Sequence, residues 1–186
     1  MIAFIVLLVV IIALVVWGIS AFNRLRTLDV KAQEALGGID VQLTRRADLI
    51  PNLVETVKGY AAHEKGVFEE VTAARAAVTK AAASGTVEEK AAADAALDRS
   101  LVNVMAVAEN YPDLKASTNF LDLQKQLADT ENQLAFARQY YNDAVSSLNT
   151  AVVTFPSMLF AGMAGVTKRT FYAAPEGQSA PPKVQF

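Results

Sequence analysis

The single histidine of the chain, His63, stands beside Glu64, and this pair is the nearest the sequence comes to a general acid/base or a metal half-site. A di-iron helical bundle needs two Glu-x-x-His motifs, and the residue three before His63 is Tyr60, so not even one is present. No HExxH, phosphate loop or dinucleotide fingerprint occurs. Cysteine is absent, which removes thiolate nucleophiles, disulfides and cysteine-ligated zinc together. His63 therefore reads as a helix-surface residue, and the expectation is no catalytic residue, no cofactor and no metal site.

The other polar residues near helix seams fall into two blocks. Glu131 and Arg138 are seven apart, hence on one side of a helix, and Asn142 and Asn149 form a neighbouring row of the same period. Arg45, Arg46, Asp48 and Asn52 cluster in the stretch RRADLIPNLV. Opposite charges and amides at such positions set the register between helices, as polar residues do in coiled-coil seams. Because no nucleophile accompanies a base, these eight residues are expected to form a structural polar network, with Arg45 or Arg46 pairing with Glu131.

The elements that must position them are helical. Alanine-rich segments with little glycine or proline favour helix over sheet. Steps of three and four run from Leu25 through Leu28, Ala32, Ala35, Ile39, Leu43, Arg46, Ile50, Leu53 and Val57, then Tyr60, Glu64, Val67, Val71, Ala74 and Val78. The phase survives Pro51, and one extra step of four crosses Gly37-Gly38 like a coiled-coil stutter. Gly85, in a left-handed conformation, and a Thr86/Glu89 capping box predict a hairpin into a second helix with Leu97, Leu101, Val104 and Ala108 on one face. That helix stops at Tyr111-Pro112, and a loop runs through Lys115. A third helix repeats Leu123, Leu127, Thr130, Leu134, Ala137, Tyr141, Ala144, Leu148, Ala151 and Phe155, ending at Pro156. The fold class expected is all-α: a long antiparallel, coiled-coil-like helical bundle of three long helices, or four if the chain reverses between Gly37 and Pro51. In the three-helix form part of the first helix lacks a partner, which neighbouring subunits could cover.

From Met1 to Phe22 no side chain is ionisable, and as a helix this stretch reaches roughly 30 Å, about the thickness of a bilayer's hydrocarbon. Trp17 suits an interface near its end, and the run is too long and lacks the basic lead of a cleaved signal peptide. Arg24, Arg26 and Lys31 follow directly, so the positive-inside rule places the main domain in the cytoplasm. The expected organisation is a transmembrane anchor over 1–22, a helical bundle over 23–156, an apolar bundle-end or membrane-proximal segment over 157–172, and an extended tail over 173–186 in which Val184 and Phe186 could dock on a partner. Lys plus Arg is 17 against 19 for Asp plus Glu, which gives no electrostatic case for nucleic acid.

Several blocks together resemble the LemA family: Ile39–Leu43 leading into RRADLIPNLV, Val57-Lys58-Gly59-Tyr60, His63-Glu64, Tyr111–Ala116, Thr130-Glu131-Asn132, Ala137–Asn142 and Phe155-Pro156. The one departure is Ala47, where relatives often carry a polar residue. The resemblance implies a single-pass membrane protein with a helical bundle and a short outward-facing N-terminus, and it implies no established activity or active site. The function expected is a non-enzymatic, self-associating scaffold or membrane-organising module in the cell (inner) membrane, partnered by the lipid bilayer and its own copies. The alternative is an accessory subunit of another membrane protein, such as a protease or transporter.

Overall fold

The computed structural model describes residues 1–173; the expected tail anchors Val184 and Phe186 lie outside the described residues. The fold is all-α: α1 (Ile2–Lys58), α2 (Lys65–Ser84), α3 (Val87–Glu109), the single turn α4 (Pro112–Lys115), α5 (Thr118–Val153) and the single turn α6 (Met158–Ala161). Two compact units are built from these elements, one of residues 1–36 and 140–171, the other of 37–139 together with Tyr172 and Ala173.

In the second unit the chain makes four passes. α2 runs antiparallel to α1, joined to it by six residues, and Arg75 Nε donates to the Ala47 carbonyl at 3.0 Å. α3 is parallel to α1, since Lys90 pairs with Asp40 and Arg46 with Asp94. α5 returns antiparallel to α3, with Gln124 Nε2 3.3 Å from Met105 Sδ and Arg138 paired with Asp94. The core contains Ile39, Leu43, Ile50, Leu53 and Val57 of α1, Val71 and Val78 of α2, Leu97 and Val104 of α3, and Phe120 and Leu134 of α5.

The reversal that creates the fourth pass lies at Gly59–Glu64, not between Gly37 and Pro51. α1 continues through both of the latter sites. Gly37 and Gly38 are on its exposed face between buried Ala35 and Ile39, so the core stripe passes beside them unbroken. Pro51 is exposed as well, and the carbonyl its missing N–H would have bonded, that of Ala47, is taken by Arg75. At Gly59 the helical ladder tightens instead: the N–H groups of Tyr60 and Ala61 both donate to Val57 O, and Ala61 is buried inside the turn.

The α2–α3 hairpin has its capping box, with Thr86 N donating to Glu89 Oε2 at 2.7 Å and Glu89 N to Thr86 Oγ1 at 3.2 Å. Gly85, however, is extended, with φ −78° and ψ 158°, rather than left-handed. Glycine is required there for space, because a Cβ would sit 2.8 Å from Ala81 O and 2.9 Å from Ala81 Cα. The expected loop through Lys115 is the single helical turn α4, opened by Pro112 at a position whose N–H needs no partner.

In the first unit, Leu25, Ala32 and Ala35 of α1 are buried, as are Tyr141, Val145, Leu148 and Ala151 of α5. Phe155, which the heptad spacing puts on the seam, is exposed instead, because α5 ends at Val153 before reaching it. After α6 the chain turns through Gly165, whose φ is +65°, with Gly165 N donating to Gly162 O and Val166 N to Ala161 O. These two bonds form a Schellman motif, which needs a residue tolerant of positive φ at the glycine. The strap that follows is fastened to both helices of the unit. Asn149 exchanges two hydrogen bonds with the Arg169 backbone, at 2.9 and 2.8 Å, and Arg169 reaches Asp29 at 2.8 Å and Gln33 at 3.0 Å. Tyr141 donates to Thr170 O at 2.8 Å.

Candidate functional site

The second unit holds a buried ion cluster. Its first member is Arg46, which the α1 stripe carries inward at a position where an apolar residue would ordinarily stand. Only 5% of Arg46 and 2% of Asp94 is exposed, so each charge depends on its partners for the solvation it has lost. Arg46 Nη1 lies 2.9 Å from both Asp94 Oδ1 and Glu131 Oε2, and its Nη2 pairs with Asp98. Arg138 approaches from α5, pairing Nη2 with Asp94 Oδ2 and placing Nη1 3.4 Å from Glu131 Oε1. Tyr172 donates its hydroxyl to Asp94 Oδ2 at 3.2 Å, and the Arg138 guanidinium stands 5.5 Å from the Tyr172 ring centroid. Lys90, one helical turn before Asp94, is buried beside Asp40 and donates to Ala82 O at 3.1 Å.

Burial dominates the electrostatics here. It raises Asp94 above the ordinary carboxyl range, against the opposing pull of Arg138 and Arg46. Burial acts to lower Arg138, but the carboxylates of Asp94 and Glu131 outweigh it and hold the guanidinium above its usual value. Tyr172 is pushed well up, first by burial and then by the Asp94 carboxylate facing it. Both oxygens of Asp94 are occupied, one by Arg46 and the other by Arg138 and the phenol. The arrangement joins α1, α3, α5 and Tyr172, and it pairs no nucleophile with a base.

Of the eight residues expected in one network, the structure brings together Arg46, Glu131 and Arg138. Arg45 bonds Gln133 Oε1 at 3.1 Å on the outer surface. Asp48 and Asn52 are exposed, Asn149 belongs to the first unit through Arg169, and Asn142 is half-buried. Asp94, Asp98, Lys90 and Tyr172 join the charged residues without belonging to either sequence block. The signal for two of them was present, since extending the stripe of Leu97, Leu101 and Val104 backwards by three and seven lands on Asp94 and Lys90. Nothing in the sequence placed Tyr172, which reaches Asp94 across 78 residues from an irregular segment. His63 lies exposed in the α1–α2 turn.

Trp17 stacks edge-on against Phe160, with centroids 5.9 Å apart and the rings at 77°. Arg24 is exposed, and Arg26 Nη1 is 3.4 Å from Ala164 O. α1 contains a window long and apolar enough to cross a membrane, and its side chains from Ile2 to Val16 are exposed.

A family model described as the LemA family matches residues 35–186. The chain is similar to the magnetosome protein MamQ of Magnetospirillum gryphiswaldense, at 23% identity over 182 residues, covering 85% of this chain and 67% of that protein. It is also similar to the magnetosome proteins MamQ 2 and MamQ 1 of Paramagnetospirillum magneticum, each at 22% identity over 174 residues, covering 81% of this chain and 64% of theirs. It thus spans about two thirds of the length of the curated relatives it matches.

Proposed function

The chain belongs to the LemA family, and from that premise we propose that it is a membrane-anchored helical scaffold that works by self-association and not by catalysis. The observation that carries this reading is the uncovered apolar stretch of α1. More than a dozen Ile, Leu, Val and Phe side chains between Ile2 and Ile19 are exposed. At about 1.5–3 kcal/mol for each such side chain withdrawn from water, the total rivals or exceeds the ~5–15 kcal/mol stability of a whole domain. A bilayer is the solvent that removes this cost. In this reading residues 1–22 are the anchor, 23–156 the bundle and 157–172 a membrane-proximal segment. Arg24, Arg26 and Lys31 keep the bundle on the cytoplasmic side of the cell (inner) membrane.

Self-association is supported by the outer surface of the second unit. Phe136 is 72% exposed and Val41 63% exposed, on the neighbouring faces of α5 and α1 that Arg45 and Gln133 join. Large apolar side chains left uncovered together mark interaction surfaces. The test is the mass of detergent-solubilised full-length protein. An oligomer that Phe136→Ser and Val41→Ser dissociate supports the scaffold, and a monomer at micromolar concentration overturns it. A single stoichiometric partner of another sequence, retained from native membranes in place of self, would favour the accessory-subunit role instead.

A further inference from the structure

The apolar surface of the first unit does not stop at the end of the spanning stretch. Phe155, Met158, Leu159 and Met163 are exposed around α6, Phe155 at 74% and Met163 at 76%. The face of α6 that turns inward packs on the anchor: Phe160 meets the Trp17 ring, and a Cβ on Gly18 would lie 3.2 Å from the Phe160 ring. Phe160 and Met163 also form one wall of an open groove of about 560 Å³, whose other wall includes Ile11, Val15, Gly18 and Phe22.

We infer that the segment Phe155–Met163 is a second membrane contact, seated in the hydrocarbon of the leaflet where the anchor emerges, with Arg24, Arg26 and Lys168 meeting anionic lipid headgroups above it. This rests on the anchor reading and extends it. Two observations choose lipid as the occupant. First, the groove wall is the anchor itself, so whatever solvates Ile11 and Val15 also reaches Phe160 and Met163. Second, the charges around the patch have one sign. No Asp or Glu occurs between Ala144 and Pro175 or between Met1 and Leu28, and Asp29, the first carboxylate after the anchor, is paired with Arg169. Arg24 and Lys168 are exposed, and Arg24 lies six residues past Gly18, about 9 Å along the helix, a distance suited to the headgroup layer. A helical turn with large apolar side chains beside a basic fringe is the composition of an interfacial element.

The chain has no cysteine, so single cysteines introduced at exposed positions take spin labels cleanly. The full-length protein carrying Leu159→Cys, Met163→Cys, Val9→Cys or Lys80→Cys is reconstituted in phosphatidylcholine vesicles with and without phosphatidylglycerol, and collisions with oxygen and with a water-soluble nickel complex are compared. Labels at 159 and 163 are expected to favour oxygen, as at 9, while the label at 80 favours nickel. Labels at 159 and 163 that favour nickel while 9 favours oxygen overturn the second contact and leave the anchor standing. If 9 also favours nickel, the anchor reading falls with it. Labels at 159 and 163 reached by neither reagent mean that protein covers the patch, which also overturns the inference. Lys168→Glu is expected to shift the label at 159 toward water in the vesicles containing phosphatidylglycerol alone, and an unchanged depth there refutes the headgroup contact.

Discussion

Arg75 on α2 supplies the hydrogen bond that Pro51 withholds from Ala47 on α1. The Ala47 carbonyl is the acceptor four residues before the proline, Ala47 is buried, and Arg75 Nε donates to it at 3.0 Å. A proline inside a 57-residue helix is thereby tolerated, because the carbonyl it orphans is satisfied from the neighbouring helix.

The pair should be thermodynamically coupled. Arg75→Ala leaves a buried carbonyl unsatisfied and is expected to cost about 1–3 kcal/mol. In a Pro51→Ala background the backbone N–H regained at position 51 can take over, so the same Arg75→Ala substitution should cost markedly less. Chemical denaturation of the four proteins measures the coupling, and an equal cost in both backgrounds would refute the relationship.

Arg46 should behave as a buried charge shared among carboxylates. Arg46→Met leaves Asp94 with Arg138 as its remaining guanidinium partner, and removing one member of such a buried pair costs about 3–5 kcal/mol. Glu131 is more exposed, so Glu131→Gln is expected to cost less. The double mutant should deviate from additivity by about 0.5–3 kcal/mol, and strictly additive single mutants would dissolve the cluster as a unit.

Tyr172 gives the cluster an alkaline signature. Its phenol holds its proton above the ordinary value of 10.0. Above that value the unfolded chain binds fewer protons at this site than the folded one, so the site's contribution to stability falls as pH rises toward the folded value, and it is fully present below pH 10. The melting-temperature advantage of the wild type over Tyr172→Phe should therefore be constant near neutrality and shrink once the pH passes 10.0. An advantage that stays flat through the alkaline range would show that Tyr172 is not held in the polar core.

The glycines should divide by surroundings. Gly85→Ala forces a Cβ onto the Ala81 backbone and is expected to destabilise the protein by about 1–3 kcal/mol. Gly37→Ala and Gly38→Ala place a methyl that meets nothing within 4 Å beyond the adjacent residues and backbone of α1 itself, and each should stabilise α1 by about 0.5–1 kcal/mol. Thermal melts in one detergent compare the three. Destabilisation at Gly37 or Gly38 would mean that another surface packs there.

Local sequence was enough to establish the all-α class, most of the inward faces and the apolar stretch at the N-terminus. These follow from short-range periodicity and from the cost of exposing apolar side chains, both of which act through neighbours in the chain. Residues such as Leu43, Leu134 and Leu148 could be placed inside on that basis. Where the first helix turns back depends instead on packing. The stripe keeps its phase from Val57 through Glu64 to Val71, so Gly59 looked no weaker than Gly37 or Pro51, and only the partner Arg75 makes the proline harmless. The membership of the ion cluster is long-range in the same way. Arg46, Glu131 and Arg138 announced themselves as charges in a seam, but which carboxylate lies between the two arginines depends on the helix that packs opposite. Tyr172 joins them from 78 residues beyond Asp94 in a segment without helical repeat, a placement that no local pattern encodes.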